Sequence, residues 1–331
     1  MKYLITGITG FVGPHLANSL LQQGHEVWGL SRASNGRETD IRDVVPDERF
    51  KTLRFIFGDL TYPESIVKTF RPSTFDGVFH LAAQSHPPIS FAEPKMTFEV
   101  NAMGTVNLAD TLLQTQPGCR LMFCSTSEVY GCGGSSGAPI TEDFPIAPVN
   151  PYAVSKAAAD LYVRERAASV KANFFVTRAF SHTGPRRGRI FSISSDAYQI
   201  IRIKKGLQEP IIKVGNLSSR RAVCDVRDIV RAYVGLMEKF EPGQAYNVGG
   251  DVVYSIRELL ERMLMISGLK GKVRLEPDPA LIRPIDIPVQ VCGSQKCRSL
   301  IGWKPEIPID TTLTDLLDYW DKKITQPETR A

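Results

Sequence analysis

Tyr152 and Lys156, in Tyr152-Ala153-Val154-Ser155-Lys156, stand four residues apart, a separation that puts both side chains on one helical face. An ammonium beside a phenol favours the phenolate. Together with the positive ring of an oxidised nicotinamide, the pair therefore predicts a tyrosine whose pKa is drawn down toward neutrality, a general base for a hydroxyl proton. Upstream, Ser125-Thr126-Ser127-Glu128 follows the apolar run Arg120–Cys124. A Ser or Thr hydroxyl at such a strand end can hydrogen-bond the oxygen that Tyr152 deprotonates. A second group is Thr6-Gly7-Ile8-Thr9-Gly10-Phe11-Val12-Gly13. Glycines there permit a tight turn and close approach of backbone to a pyrophosphate, and the helix that follows offers unpaired N–H groups and a positive dipole end. Where a fold of this kind places Asp or Glu for the ribose 2′-OH of NAD, the chain has Leu30-Ser31-Arg32-Ala33-Ser34 with Arg37 close by. Cationic and hydroxyl groups suit a 2′-phosphate, so NADP is the expected cofactor. Asp59, in Gly58-Asp59-Leu60, is expected near its adenine.

These residues need a scaffold, and the apolar pattern supplies one. Leu16, Leu20 and Leu21 follow the glycine turn at helical spacing, and strand-like runs recur at Arg54–Phe57, Gly77–Leu81, Arg120–Cys124 and Asn173–Thr177. Helical patterns separate most of them. This alternation predicts an α/β fold, a Rossmann-type doubly wound parallel sheet with ligands at the carboxyl ends of its strands. From about Ser181 the chain turns to Gly/Pro/Arg-rich loops, with helices expected over Asp196–Lys205 and Val226–Lys239 and around Leu313–Lys323. The expected division is residues 1–180 as an NADP-binding domain and 181–325 as mainly a smaller substrate-binding lobe. Later segments such as Ala245–Val248 are expected to return to the main sheet.

Composition excludes several classes. With 331 residues and 43% hydrophobic side chains there is ample material for a core. No apolar stretch approaches the ~20 residues of a membrane span, and no signal peptide is visible. The net charge of +5 is 40 basic less 35 acidic residues, without the concentrated basic stripe of a nucleic-acid binder. Six cysteines show no metal-ligand spacing, so no metal site is expected, and reduced thiols in the cytoplasm are. His80, at a strand end, reads as a packed structural histidine.

Taken together, the glycine turn, Gly58-Asp59-Leu60, His80-Leu81-Ala82-Ala83-Gln84-Ser85, Asn101-Ala102-Met103-Gly104-Thr105, Ser125–Glu128 and the Tyr152/Lys156 pair resemble the extended short-chain dehydrogenase/reductases, in their nucleotide-sugar branch. The likeness covers nearly the whole chain. Within the branch it is most similar to GDP-mannose 4,6-dehydratases, through Ala83–His86, Ser125–Gly131, Pro185-Arg186-Arg187-Gly188, Gly215-Asn216-Leu217 and Arg283-Pro284. The resemblance implies catalysis by Thr126, Glu128, Tyr152 and Lys156. It implies cofactor contacts from Gly7, Thr9, Gly10, Phe11, Val12, Gly13, Arg32, Arg37, Asp59, Leu60, Leu81, Ala82, Ala83 and Gln84, and from Tyr152 and Lys156. Ser85, Ser127, Glu128, Ser181, Arg187, Arg221 and Arg283 are implied for a GDP-sugar, the arginines at its diphosphate. Eliminating water across C5–C6 of a 4-ketohexose needs a base for the C5 proton and an acid for the departing hydroxyl, the work the resemblance gives to Glu128. Homodimers or homotetramers are implied as well. Two positions depart from the family pattern: Ser181 stands where Asn is usual, and Ala222-Val223 follow Arg221 in place of Asp-Trp. The alternatives are an NADPH-dependent reductase of a GDP-4-keto-6-deoxy sugar, a nucleotide-sugar epimerase and, outside enzymes, an NADP-sensing binding protein.

Overall fold

The structure, a computed structural model, describes residues 1–32, 39–71, 73–134, 137–282 and 284–324. Arg37 and Arg283 lie outside the described residues.

Seven parallel strands, β1 (Lys2–Thr6), β2 (Glu26–Ser31), β3 (Arg54–Phe57), β4 (Gly77–His80), β5 (Arg120–Thr126), β6 (Phe174–Ala179) and β7 (Ala245–Val248), form one sheet in the order β7-β6-β5-β4-β1-β2-β3. Every residue of β4 and β6 is buried, as a parallel sheet covered by helices on both faces requires. Side chains alternate between two cores. Tyr3 and Ile5 face Leu16, Leu20, Ile229 and Tyr233 on one side; Leu4, Val78 and Leu121 face Leu108, Leu112 and Val163 on the other. The sheet is thus Rossmann-type, and β7 does return to it beside β6, as its apolar pattern suggested.

Strand order reverses between β1 and β4, which opens a crevice at their carboxyl ends where ligands bind in such sheets. The glycine turn leaves β1 there and Leu81–Ala83 leave β4. A third apolar cluster, including Ala197, Ile200, Ile212, Val214, Leu259, Leu260 and Leu316, is built wholly from later segments. It joins the helices Ser192–Lys204, Ile256–Ile266 and Ile309–Lys323 to the paired strands Ile211–Val214 and Arg274–Pro277.

Two helices start four residues earlier than the sequence pattern indicated: the last spans Ile309–Lys323, not Leu313–Lys323, and another spans Ser192–Lys204, not Asp196–Lys205. Three serines weaken the local signal, but tertiary contacts hold the extra turn. Ser194 is fully buried, donates to the Arg187 carbonyl at 2.6 Å and accepts from Trp320 Nε1 at 3.0 Å.

Candidate active site

The glycine turn is shaped by near-contact of backbone with backbone. Gly7 has φ +73°, and a Cβ there would sit 2.7 Å from the Ala82 nitrogen; one on Gly13 would sit 2.6 Å from the Gly7 carbonyl oxygen. The turn closes with Gly10 N–H donating to the Gly7 carbonyl at 2.9 Å. The following helix, Val12–Gln22, begins without a side-chain cap. Its first N–H groups are the kind of donors that hold an anion.

A cavity of about 1150 Å³ runs from this turn along the strand ends and into the later segments. Gly7, Gly10, Phe11, Val12, Gly13, Leu81, Ala82, Ala83 and Ser85 line it, as do Thr126, Ser127, Glu128, Tyr152, Lys156, Ser181, Arg187 and Arg221. The remaining expected residues stand behind or beside it. Thr9 gives its carbonyl to Arg186. Asp59 accepts from Thr61, Leu60 packs in the core, and the Gln84 amide bonds His86 and Thr97. Arg32 is exposed.

At the reacting end, β5 runs two residues further than its apolar run and ends on Thr126, whose Oγ1 accepts the Glu128 N–H at 3.3 Å and starts a short 3₁₀ turn over Ser127–Tyr130. Ser127 is held by a two-way exchange with Gln290: its hydroxyl donates to Oε1 and its carbonyl accepts from Nε2, each at 3.1 Å. Asn150 is a double anchor. Its Oδ1 caps the Pro151–Ser169 helix by accepting Ala153 N–H at 2.8 Å, while Nδ2 donates to Glu128 Oε2 at 2.7 Å. One side chain therefore fixes both the helix that carries Tyr152 and Lys156 and the carboxylate facing them.

Tyr152 is raised above the ordinary phenol value, by burial first and the Glu128 charge second; its hydrogen bond to Thr126 and the Arg187 charge oppose this. Burial outweighs the Arg187 charge in the protein alone; the draw-down expected for Tyr152 belongs to the site with the nicotinamide ring beside it. Lys156, its ammonium 4.1 Å from the Phe123 ring centre, is lowered to about 8 by burial.

His80 is structural, as read from the sequence. Its ring bridges Thr6 Oγ1 at 2.7 Å and Thr105 Oγ1 at 2.9 Å, and burial lowers its pKa to about 3, so it is neutral. Asn101 has a positioning role that its motif alone did not reveal. It exchanges hydrogen bonds with the Gln84 backbone at 2.8 and 3.0 Å and donates to Ser155 Oγ at 3.0 Å, joining the β4 loop to the Tyr152 helix.

Further along the cavity the two adjacent arginines separate. Arg187 stacks over Phe191 at 3.5 Å and faces Phe11 at 4.8 Å; burial lowers its pKa to about 10. Arg186 turns away and donates to the carbonyls of Gly10 and Thr9 at 3.1 and 3.0 Å. Arg221 pairs with Asp286 at 3.2 Å.

A glycine turn at a sheet switch point, with a Thr, Tyr and Lys at the neighbouring strand and helix, defines a short-chain dehydrogenase/reductase, and similarity to known proteins agrees. The family described as GDP-mannose 4,6 dehydratase matches residues 4–316, and the chain belongs to it. GDP-6-deoxy-D-mannose reductase of Pseudomonas aeruginosa is 33% identical over 326 residues, 98% of this chain and 99% of that protein. GDP-mannose 4,6-dehydratase of Vibrio cholerae is 29% identical over 360 residues, 98% and 95% of the two chains. The solved structure of RMD from Pseudomonas aeruginosa complexed with NADPH superposes with a TM-score of 0.82 at 30% identity, covering 98% of this chain and 99% of that one.

Proposed function

We propose that the protein is an NADP-dependent nucleotide-sugar 4,6-dehydratase whose substrate is GDP-mannose and whose product is GDP-4-keto-6-deoxymannose. Glu128 carries the reading. Reducing a ketone or oxidising a hydroxyl at this site needs the Tyr152 proton relay and a hydrogen bond from Thr126. A carboxylate in the cavity, oriented by Asn150, is surplus to that and suited to elimination.

The glycine turn fits a dinucleotide, because its close backbone contacts leave no room for side chains where a pyrophosphate would approach. NADP, when bound there, supplies the hydride acceptor and donor. Its use is supported by the NADPH in the Pseudomonas relative and by the basic character of Arg32 and Arg37. Tyr152 takes the proton of the sugar 4-hydroxyl while Thr126 hydrogen-bonds that oxygen. Since burial and Glu128 both favour the neutral phenol, Tyr152 works as a base when positive charge stands beside it; Arg187 supplies part of that charge, and the Tyr/Lys spacing assigns a further part to Lys156. Glu128 then removes the C5 proton and delivers a proton to the departing 6-hydroxyl. Arg187 and Arg221 hold the diphosphate, with Arg283 assigned to it by its motif. Ser85, Ser127 and Ser181 face the sugar.

The reductase reading is favoured by one observation, the 33% identity to the Pseudomonas reductase over almost the full length of both chains. The two are separated by incubating purified protein with GDP-mannose and no added cofactor. The dehydratase yields a product lighter by one water, and Glu128→Gln lowers its formation at least a hundredfold, the low end of what general acid–base catalysis contributes. Silence toward GDP-mannose, with one NADPH oxidised per 4-keto-6-deoxy sugar, assigns the reductase.

Residues 1–180 are read as the NADP-binding part and 181–325 as mainly the substrate lobe, which the separate later core supports. Exposed Ile89, Phe98, Val154 and Leu161, on neighbouring helices, support a homodimer or homotetramer. No helix among the described residues is long and apolar enough to cross a membrane, and a cytoplasmic location is part of this reading.

A further inference from the structure

One buried group in the cavity has no part in the chemistry above. Asp196 sits near the start of the Ser192–Lys204 helix, is 4% exposed and lines the cavity. Among the described residues no hydrogen-bond donor or cation reaches its carboxyl group, and burial alone raises its pKa to about 7. A buried polar side chain without a partner is costly, and one facing a ligand cavity finds its partner in the ligand.

Its place along the cavity says which part of the ligand that is. The charge of Arg187 is felt at Tyr152, and Arg187 stacks on Phe191. Asp196 lies five residues beyond Phe191, about 7 Å further along the helix axis. The cavity therefore presents a cation at Phe191, felt at Tyr152, and a carboxylate on the helix that leads away from Phe191. An anionic group is misplaced against phosphates and suits a donor-bearing group beyond them. Other walls of the same cavity, Gly215, Leu217 and Leu281, offer backbone and apolar faces to a planar ring.

We propose that Asp196 reads the nucleobase: its two carboxylate oxygens accept the ring N1–H and the exocyclic 2-amino group of guanine and thereby select guanine nucleotides. This rests on the cavity being a nucleotide-sugar site. Of the common bases, guanine alone presents two adjacent donors. Uracil and thymine flank their ring N–H with two carbonyls. Adenine and cytosine place a lone-pair nitrogen beside the amino group, facing the second carboxylate oxygen.

Calorimetric titration of the whole protein at pH 8 with GDP, IDP, XDP and UDP tests this. The wild type is expected to bind GDP about tenfold or more tighter than IDP, which lacks the 2-amino group, and tighter still than UDP. Asp196→Asn offers one acceptor and one donor, which match the N1–H and 2-oxo groups of xanthine. It should lose the preference for GDP and gain XDP, a gain that no misfolded variant produces. An unchanged GDP-to-XDP ratio in Asp196→Asn, or a wild type that prefers UDP, overturns the base assignment and leaves the nucleotide-sugar reading standing. A wild type that binds no nucleoside diphosphate overturns both.

Discussion

A carboxyl group buried without a partner leaves a signature in stability, and Asp196 makes it measurable. Its pKa is raised from the ordinary 3.8 to about 7. Below 3.8 it is protonated folded and unfolded alike, and contributes no pH dependence. Between those values the folded protein keeps a proton that the unfolded chain gives up, so stability falls as pH rises. Above 7 the loss is complete, on the order of 4 kcal/mol for about three pKa units. Asp196→Asn is expected to melt at a higher temperature than wild type at pH 8 and at about the same temperature at pH 4. Thermal unfolding of both proteins at the two pH values checks this, and an Asn variant with no advantage at pH 8 shows the carboxylate to be solvated or paired. Nothing in the sequence marks Asp196. It follows four residues in which serine predominates, and only the helix beginning at Ser192 brings it to the cavity. Tyr152 and Lys156 were visible as a pair, but the burial that raises Tyr152 in the protein alone was not, because it depends on what the fold packs around the phenol.

At the level of elements, Asn150 shows how one side chain can serve a helix and a site together. It caps the Pro151–Ser169 helix through Oδ1 and holds Glu128 through Nδ2. Asn150→Ala removes both bonds and is expected to cost about 1 kcal/mol of stability, the usual value for a lost cap. Asn150→Asp keeps the cap but sets an anion against Glu128. It should therefore unfold close to wild type in denaturant while its turnover falls and the pH profile of turnover moves upward, as Glu128 holds its proton more tightly. Wild-type turnover in Asn150→Asp would show that Glu128 needs no orientation from this residue. The signal for Asn150 was present in the sequence as an Asn before a Pro that opens a helix. The sheet strands were legible for a similar reason: each is a short apolar run bounded by turn residues, and β7 shares the pattern despite lying 66 residues beyond β6. Long-range partners were not legible. Gln290 meets Ser127 across 163 residues, and no local spacing encodes that.

Across the whole molecule, the later segments reach back to the glycine turn through Arg186, and this contact ties the glycine-turn side of the cavity to the side that the later segments line. Arg186 has φ +74°, a left-handed conformation that costs a non-glycine residue on the order of 1 kcal/mol. The surrounding bonds hold it there. Its guanidinium reaches the Gly10, Thr9 and Asp40 carbonyls, the last at 2.6 Å, and the Asp43 carboxylate at 3.3 Å; Asp43 in turn binds Lys323 of the last helix at 2.7 Å. The neighbouring Pro185 carbonyl meets His15 Nε2 at 3.0 Å. The next residue, Arg187, faces the cavity, so the same loop grips the glycine turn and offers a cation to the cavity. Arg186→Ala removes the grip and keeps the strained backbone. It is expected to weaken NADP binding about tenfold, the effect of one lost charged hydrogen bond, while the KM for the sugar nucleotide changes less. Arg186→Gly removes the grip and the strain together, so it should bind NADP as weakly as Arg186→Ala but resist denaturant better, by about 1 kcal/mol. Fluorescence titration with NADPH and urea unfolding of the two variants separate these effects. An unaltered NADPH affinity in both would show that the glycine turn keeps its shape without help from the later segments.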